Sequence, residues 1–118
     1  MVGVPKLQEL LAQKKAYLNL LWSEARRLAQ VLKEHGADEV YVFGSLAKGG
    51  AYLNSDLDLL VVTRTELPPV GRGVPFLRAI GKEKPRVPVD LLVFTPEEMD
   101  PAQRSRSLER LLEEGIRV

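Results

Sequence analysis

The chain has 118 residues, 45% apolar and 28% charged, a size and balance that suit one domain around a single modest core. It has no cysteine, which excludes a disulfide framework and a thiolate metal site and makes the cytoplasm the expected compartment. No apolar run approaches bilayer length, the first residues lack a signal peptide's apolar core, and a net charge of +1 argues against bulk attraction to nucleic acid.

Pro5 can open a helix, because its fixed φ and missing N–H are tolerated at the first position. Leu7, Leu10, Leu11, Leu18, Leu21, Trp22, Ala25, Leu28, Ala29 and Leu32 then recur at three- and four-residue steps. This is an amphipathic helix that ends near His35, with Gly36 just beyond it. Its expected length of roughly 45 Å exceeds what a small domain can cover. The front half should overhang and leave Leu7, Leu10, Leu11 and Leu18 for a partner helix; the alternative is a break near Asn19 and a fold back onto the core. His35, the only histidine, suits a helix C-terminus, and a histidine-based triad or zinc site is almost excluded.

Val40–Phe43 and Leu57–Val62 read as strands, separated by a turn-rich link that begins at Gly44-Ser45. Asp56 and Asp58 stand at the entrance of the second strand, where residues two apart share a face. Two carboxylates so close repel each other, and a divalent cation between them removes the conflict. Gly44 lets a phosphate approach the backbone, and the Ser45 N–H and hydroxyl are donors to it. A helix starting at Leu46 would add its positive end. Residues 36–62 carry one basic and four acidic side chains, while 1–35 and 63–90 each carry six basic and three acidic ones. That pattern suits a metal site receiving a polyphosphate, or simply a mixed solvated surface.

Leu67–Pro75 is punctuated as a loop, and Phe76–Ile80 reads as a short helix closed by Gly81. Arg72, Arg78, Lys82 and Lys84 meet a triphosphate or a partner, or simply face solvent. Val87–Phe94 is a third strand in which Asp90 is the odd residue, directed to the metal site or to an exposed edge. Thr95-Pro96-Glu97-Glu98 is a capped helix start. A last helix carries Leu108, Leu111 and Leu112, and Ile116–Val118 could add a closing strand.

The run Gly44-Ser45, ten residues, then Asp56-Leu57-Asp58 resembles the signature of the polymerase-beta nucleotidyltransferase superfamily, and the short length points to its minimal nucleotidyltransferase branch, often paired with HEPN-domain toxins. The resemblance covers roughly Ala37 to Val118. It implies an α+β fold, a small mixed sheet flanked by helices, here with a long N-terminal helix added. One domain, 1–118, would divide into the helix 1–36, a docking element, and a catalytic core 37–118. Asp56, Asp58 and Asp90 would be catalytic residues and ligands of two Mg²⁺ ions; Gly44, Ser45 and Lys48 would bind ATP or another nucleoside triphosphate. Leu46 departs from the family, where many members carry arginine or another polar or aromatic residue, so one phosphate contact is missing. The acceptor implied is a tyrosine hydroxyl on a HEPN-like toxin, with oligomerisation through the first helix. Two other readings are a non-catalytic binding antitoxin and a small-molecule nucleotidyltransferase with a separate acceptor-binding subunit.

Overall fold

The computed structural model describes residues 6–51 and 53–118; Pro5, the expected helix opener, lies outside them. The first helix, α1, spans Leu7–Glu34 without a break at Asn19, so the folded-back alternative does not occur. Its 28 residues give it a length of about 42 Å. The molecule is correspondingly long, 60 Å against 32 and 21 Å in the other directions. Full burial along α1 begins at Leu21, while Leu7 and Leu11 are 71% and 56% exposed, so the front of the helix overhangs as its length predicts; Leu18, expected to lie uncovered as well, instead packs partly buried against the core. The chain leaves α1 through His35 and turns at Gly36, whose φ of 101° is the left-handed conformation that glycine accepts.

Three apolar runs form the sheet. Strand β1 (Glu39–Phe43) is followed by a single helical turn, α2 (Gly44–Ala47), and by β2 (Leu57–Val62). Helix α3 (Val74–Lys82) crosses to β3 (Val89–Phe94); α4 (Pro96–Met99), α5 (Arg106–Glu114) and a two-residue β4 (Ile116–Arg117) complete the chain. The sheet order is β3-β2-β1-β4, with β1 antiparallel to β2 and β4, and β2 parallel to β3. Gly81 does not close α3 but lies inside it; the helix ends at Lys82, and the chain turns at Lys84, which takes a φ of 48°.

Alternation along the strands divides the core in two. On one face Val40, Val42, Leu57, Leu59 and Val61 pack with Leu21, Ala25, Leu28, Ala29 and Leu32 of α1 and with Phe76 and Ile80 of α3. On the other, Leu60 and Val62 meet Leu108 of α5, supported by Tyr41, Phe43, Phe94, Met99 and Leu112. The expected cap holds, with the Thr95 hydroxyl accepting from the Glu98 N–H; the Ser105 hydroxyl, not anticipated, accepts from the Leu108 N–H in the same way. No helix among the described residues is long and apolar enough to cross a membrane.

One carboxylate is fully buried. Glu24, on the apolar side of α1, accepts from Arg27 Nε (2.9 Å) and Nη2 (2.8 Å) and from the Arg86 N–H (2.9 Å) and Nη2 (3.1 Å). Arg27 also reaches the Glu83 carbonyl (3.2 Å), so the cluster ties α1 to the connection between α3 and β3. The Arg27 guanidinium, with the two Arg86 donors and against the opposing effect of burial, holds the Glu24 carboxyl at about 2. A depressed carboxyl stabilises the fold fully above its unfolded value and loses that contribution as pH falls through its folded one. The window is therefore roughly pH 4.5 to 2, and the loss is about 3 kcal/mol from the size of the shift. Chemical denaturation should show wild-type stability falling across that window, with a smaller fall for Glu24→Gln. At pH 7 Glu24→Ala should cost about 1–3 kcal/mol, since it removes the acceptor of the part-buried Arg86 N–H and of both arginine side chains, although Arg27 keeps Glu83.

Candidate active site

The β2–β3 register brings the predicted carboxylates together. Asp58 is the ladder partner of Asp90, and Phe43 is the antiparallel partner of Asp58 on its other side. In a parallel pair residues in register project to the same face, so Asp58 and Asp90 lie side by side at the leading end of both strands. They share that face with Leu60 and Leu92, one step further along. Burial is the largest cause that raises the Asp58 carboxyl, to about 6; the charges of Asp90 and Asp56 and a hydrogen bond with Asp90 add to it. Asp90 itself is exposed at the sheet's edge, which combines the two orientations that the sequence left open.

Gly44 opens α2 with a φ of 72°, directly over this pair. A Cβ there would overlap Asp58 Oδ2 and stand 3.2 Å from Asp58 Cγ, so only glycine lets the turn close on the carboxylate. The helical turn begins at Gly44, two residues earlier than expected, so the N–H groups of Gly44 and Ser45 belong to its first turn. One turn carries little macrodipole; individual N–H donors are what it can offer an anion. Lys48 caps the turn and its ammonium lies 3.1 Å from Glu114 of α5, both side chains largely exposed. Such a surface pair contributes little and can exchange for a phosphate.

The donor set is made of hard carboxylate oxygens, the chemistry of Mg²⁺ rather than of a softer ion. Among the described residues, however, no three histidine, cysteine, aspartate or glutamate side chains stand together closely enough to form a ready metal cage. Asp58 and Asp90 are set by the ladder. Asp56 precedes its first bond, from the Leu57 N–H to the Pro88 carbonyl (2.8 Å), and is exposed. Its position depends on the segment that carries it.

Two residues differ from expectation. Arg72, a candidate for the triphosphate, is 8% exposed and committed to the Glu98 carboxylate and the Leu67 carbonyl, where it fastens the 64–73 loop to α4. Tyr17 of α1 was not anticipated: its hydroxyl donates to the Ser55 carbonyl at 2.8 Å. A cavity of about 620 Å³ opens at the far end of the sheet between Asp38, Arg64, Met99 and Arg117 and contains none of the predicted site residues.

The small mixed sheet, with its carboxylate pair in register under a glycine-serine turn, has a nucleotidyltransferase-like fold. The nucleotidyltransferase domain description matches residues 25–116, and the chain belongs to that family. Its fold resembles a candidate nucleotidyltransferase from Sulfolobus solfataricus, with a TM-score of 0.57 and 24% identity over 98% of this chain and 90% of that one. It also resembles a toxin–antitoxin structure with AMP-PNP, with a TM-score of 0.55 and 20% identity over 79% of this chain and 70% of that chain. Likeness at these identities concerns the fold. A comparison with curated proteins finds none that matches.

Two measurements check this geometry. Gly44→Ala should lose about 1–3 kcal/mol in a denaturant titration, more than Gly36→Ala, where φ is also positive but a Cβ meets nothing within 4 Å. Asp90→Asn should lower the Asp58 pKa, read by carbon NMR of its carboxyl, because a like charge is removed; it should stay above the ordinary aspartate value because burial persists. An unchanged Asp58 titration would contradict the pairing.

Proposed function

We propose that this nucleotidyltransferase moves AMP from ATP to a tyrosine hydroxyl on a HEPN-type toxin, and so acts as an antitoxin. The observation that carries the chemistry is the Asp58–Asp90 pair held in register beneath Gly44. The family supports nucleotidyl transfer from a nucleoside triphosphate with a divalent metal. Support for the toxin partner is the motif's resemblance to minimal nucleotidyltransferases together with the likeness in fold to a toxin–antitoxin structure with AMP-PNP.

In this reading Asp58 and Asp90, with Asp56, hold Mg²⁺, and the Gly44 and Ser45 N–H groups meet the β- and γ-phosphates. Lys48 moves from Glu114 to assist them. The bound cations supply charge neutralisation at the triphosphate and lower the pKa of the acceptor hydroxyl. Asp90, exposed at the edge where an acceptor can arrive, takes the hydroxyl proton. The acceptor oxygen bonds to the α-phosphorus, the bond to the bridging oxygen breaks, and pyrophosphate leaves with that electron pair. The overhanging half of α1, with Leu7, Leu10 and Leu11 exposed, is the surface for the partner. The unit 37–118 is the catalytic core that it serves.

Co-expression with the product of a neighbouring HEPN-like reading frame tests the proposal by intact mass. The partner should gain one AMP on a tyrosine. Asp58→Asn and Asp90→Asn should reduce that modification at least ~100-fold, given the several kcal/mol a metal supplies to such a step. A tight but unmodified complex would instead make the chain a binding antitoxin. Labelled nucleotide on a small acceptor would replace the protein substrate.

A further inference from the structure

The weak point of the candidate site is Asp56. Asp58 and Asp90 inherit their positions from six paired residues of a parallel ladder. Asp56 lies on the segment between α2 and β2, where Gly49 and Asn54 take φ values of 77° and 70° and the backbone follows neither helix nor strand. At its start the Gly50 N–H bonds the Ser45 carbonyl (2.9 Å), and at its end the Leu57 N–H bonds the Pro88 carbonyl (2.8 Å). Between these ends the Tyr17 hydroxyl donates to the carbonyl of Ser55, the residue next to Asp56 and 38 positions away in sequence.

Packing alone would be served by a phenylalanine at position 17. The ring lies on the side of α1 that, with Gln13, Ala16, Leu20 and Leu53, lines a shallow groove against the same segment. The hydroxyl is thus a donor aimed at one backbone carbonyl of the chain portion that delivers Asp56.

We infer that Tyr17 is a positioning residue for Asp56: its hydroxyl, held by α1, fixes the Ser55–Asp56 backbone at the entrance of β2 and so sets where the Asp56 carboxylate stands relative to Asp58. This rests on the reading of the three aspartates as ligands of a divalent cation. Partners that orient metal ligands commonly change affinity by 10–100-fold when removed.

The test is Mn²⁺ binding to the full chain without nucleotide, followed by electron paramagnetic resonance of free Mn²⁺. Parent, Tyr17→Phe, Asp56→Asn and Leu20→Ala proteins are compared, with folding checked by thermal melts. Tyr17→Phe should bind Mn²⁺ about tenfold more weakly while melting close to the parent. Leu20→Ala, which removes packing in the same groove and leaves the hydroxyl in place, should melt lower and bind Mn²⁺ as the parent does. Parent-like affinity in Tyr17→Phe, alongside a weakened Asp56→Asn, overturns the role of Tyr17 alone. Equal weakening in Leu20→Ala also overturns it, because groove packing would then be responsible. A parent that binds no Mn²⁺, or an Asp56→Asn protein that binds as tightly as the parent, overturns the metal reading and this inference with it.

Discussion

Placing Asp58 opposite Asp90 is the constraint around which the rest of the sheet is arranged. Two carboxylates in register, one of them partly desolvated, oppose folding at neutral pH, and a raised carboxyl makes the sign definite: the protein favours the proton, and stability declines as pH rises towards about 6. From the size of the shift the penalty is at most about 3 kcal/mol. Against it stand Leu57, Leu59, Leu60 and Val61 on the same strand, each 1% exposed or less. Their burial contributes on the order of 6–12 kcal/mol. Apolar burial therefore fixes the register, and the register forces the carboxylates together. A cation bound between them would offset the remaining repulsion.

The same logic explains the glycine. Were the turn after β1 wider, position 44 would tolerate a side chain; here the chain closes directly over Asp58, and a Cβ has no room. The left-handed φ and the close approach are both requirements of one residue, and each alone would favour glycine. Phe43 on the neighbouring strand then shields the flank of Asp58 from water, which is consistent with burial being the main reason for its raised pKa.

Much of this was legible in the sequence, because its determinants are local. Strand composition, the Gly44-Ser45 turn, the two-residue spacing of Asp56 and Asp58, and a carboxylate inside an apolar strand at Asp90 all leave marks within a few residues. The 28-residue helix and its overhang followed from periodicity and length. What escaped was decided by distant partners. Arg72 looks like any loop arginine until Glu98 and the Leu67 carbonyl are folded around it. Glu24 carries a faint signal, since it falls between Leu21, Ala25 and Leu28 on the apolar stripe with Arg27 three residues on. Its second partner, Arg86, is 62 positions away. Tyr17 has less still, for a backbone carbonyl at Ser55 has no side chain to announce it. Gly81, a reasonable helix stop, lies inside α3, which buries Phe76, Ala79 and Ile80 and runs on to the exposed Lys82.

The role of α1 is therefore wider than its overhang suggests. Its rear half is immobilised by the first core cluster and by the Glu24 cluster, and a helix so anchored transmits position along its axis as a nearly rigid rod. Tyr17 lies seven residues ahead of Glu24, about 10 Å along that rod and on the same side. Its hydroxyl is placed by packing and ion pairing that occur elsewhere, and reaches the Ser55 carbonyl ahead of the β2–β3 ladder. The stable core thus sets the location of a loop carboxylate it does not touch. A displacement of the exposed front half would have to bend the helix before it could move Asp56, so the anchor at Glu24 determines how firmly the candidate site is held.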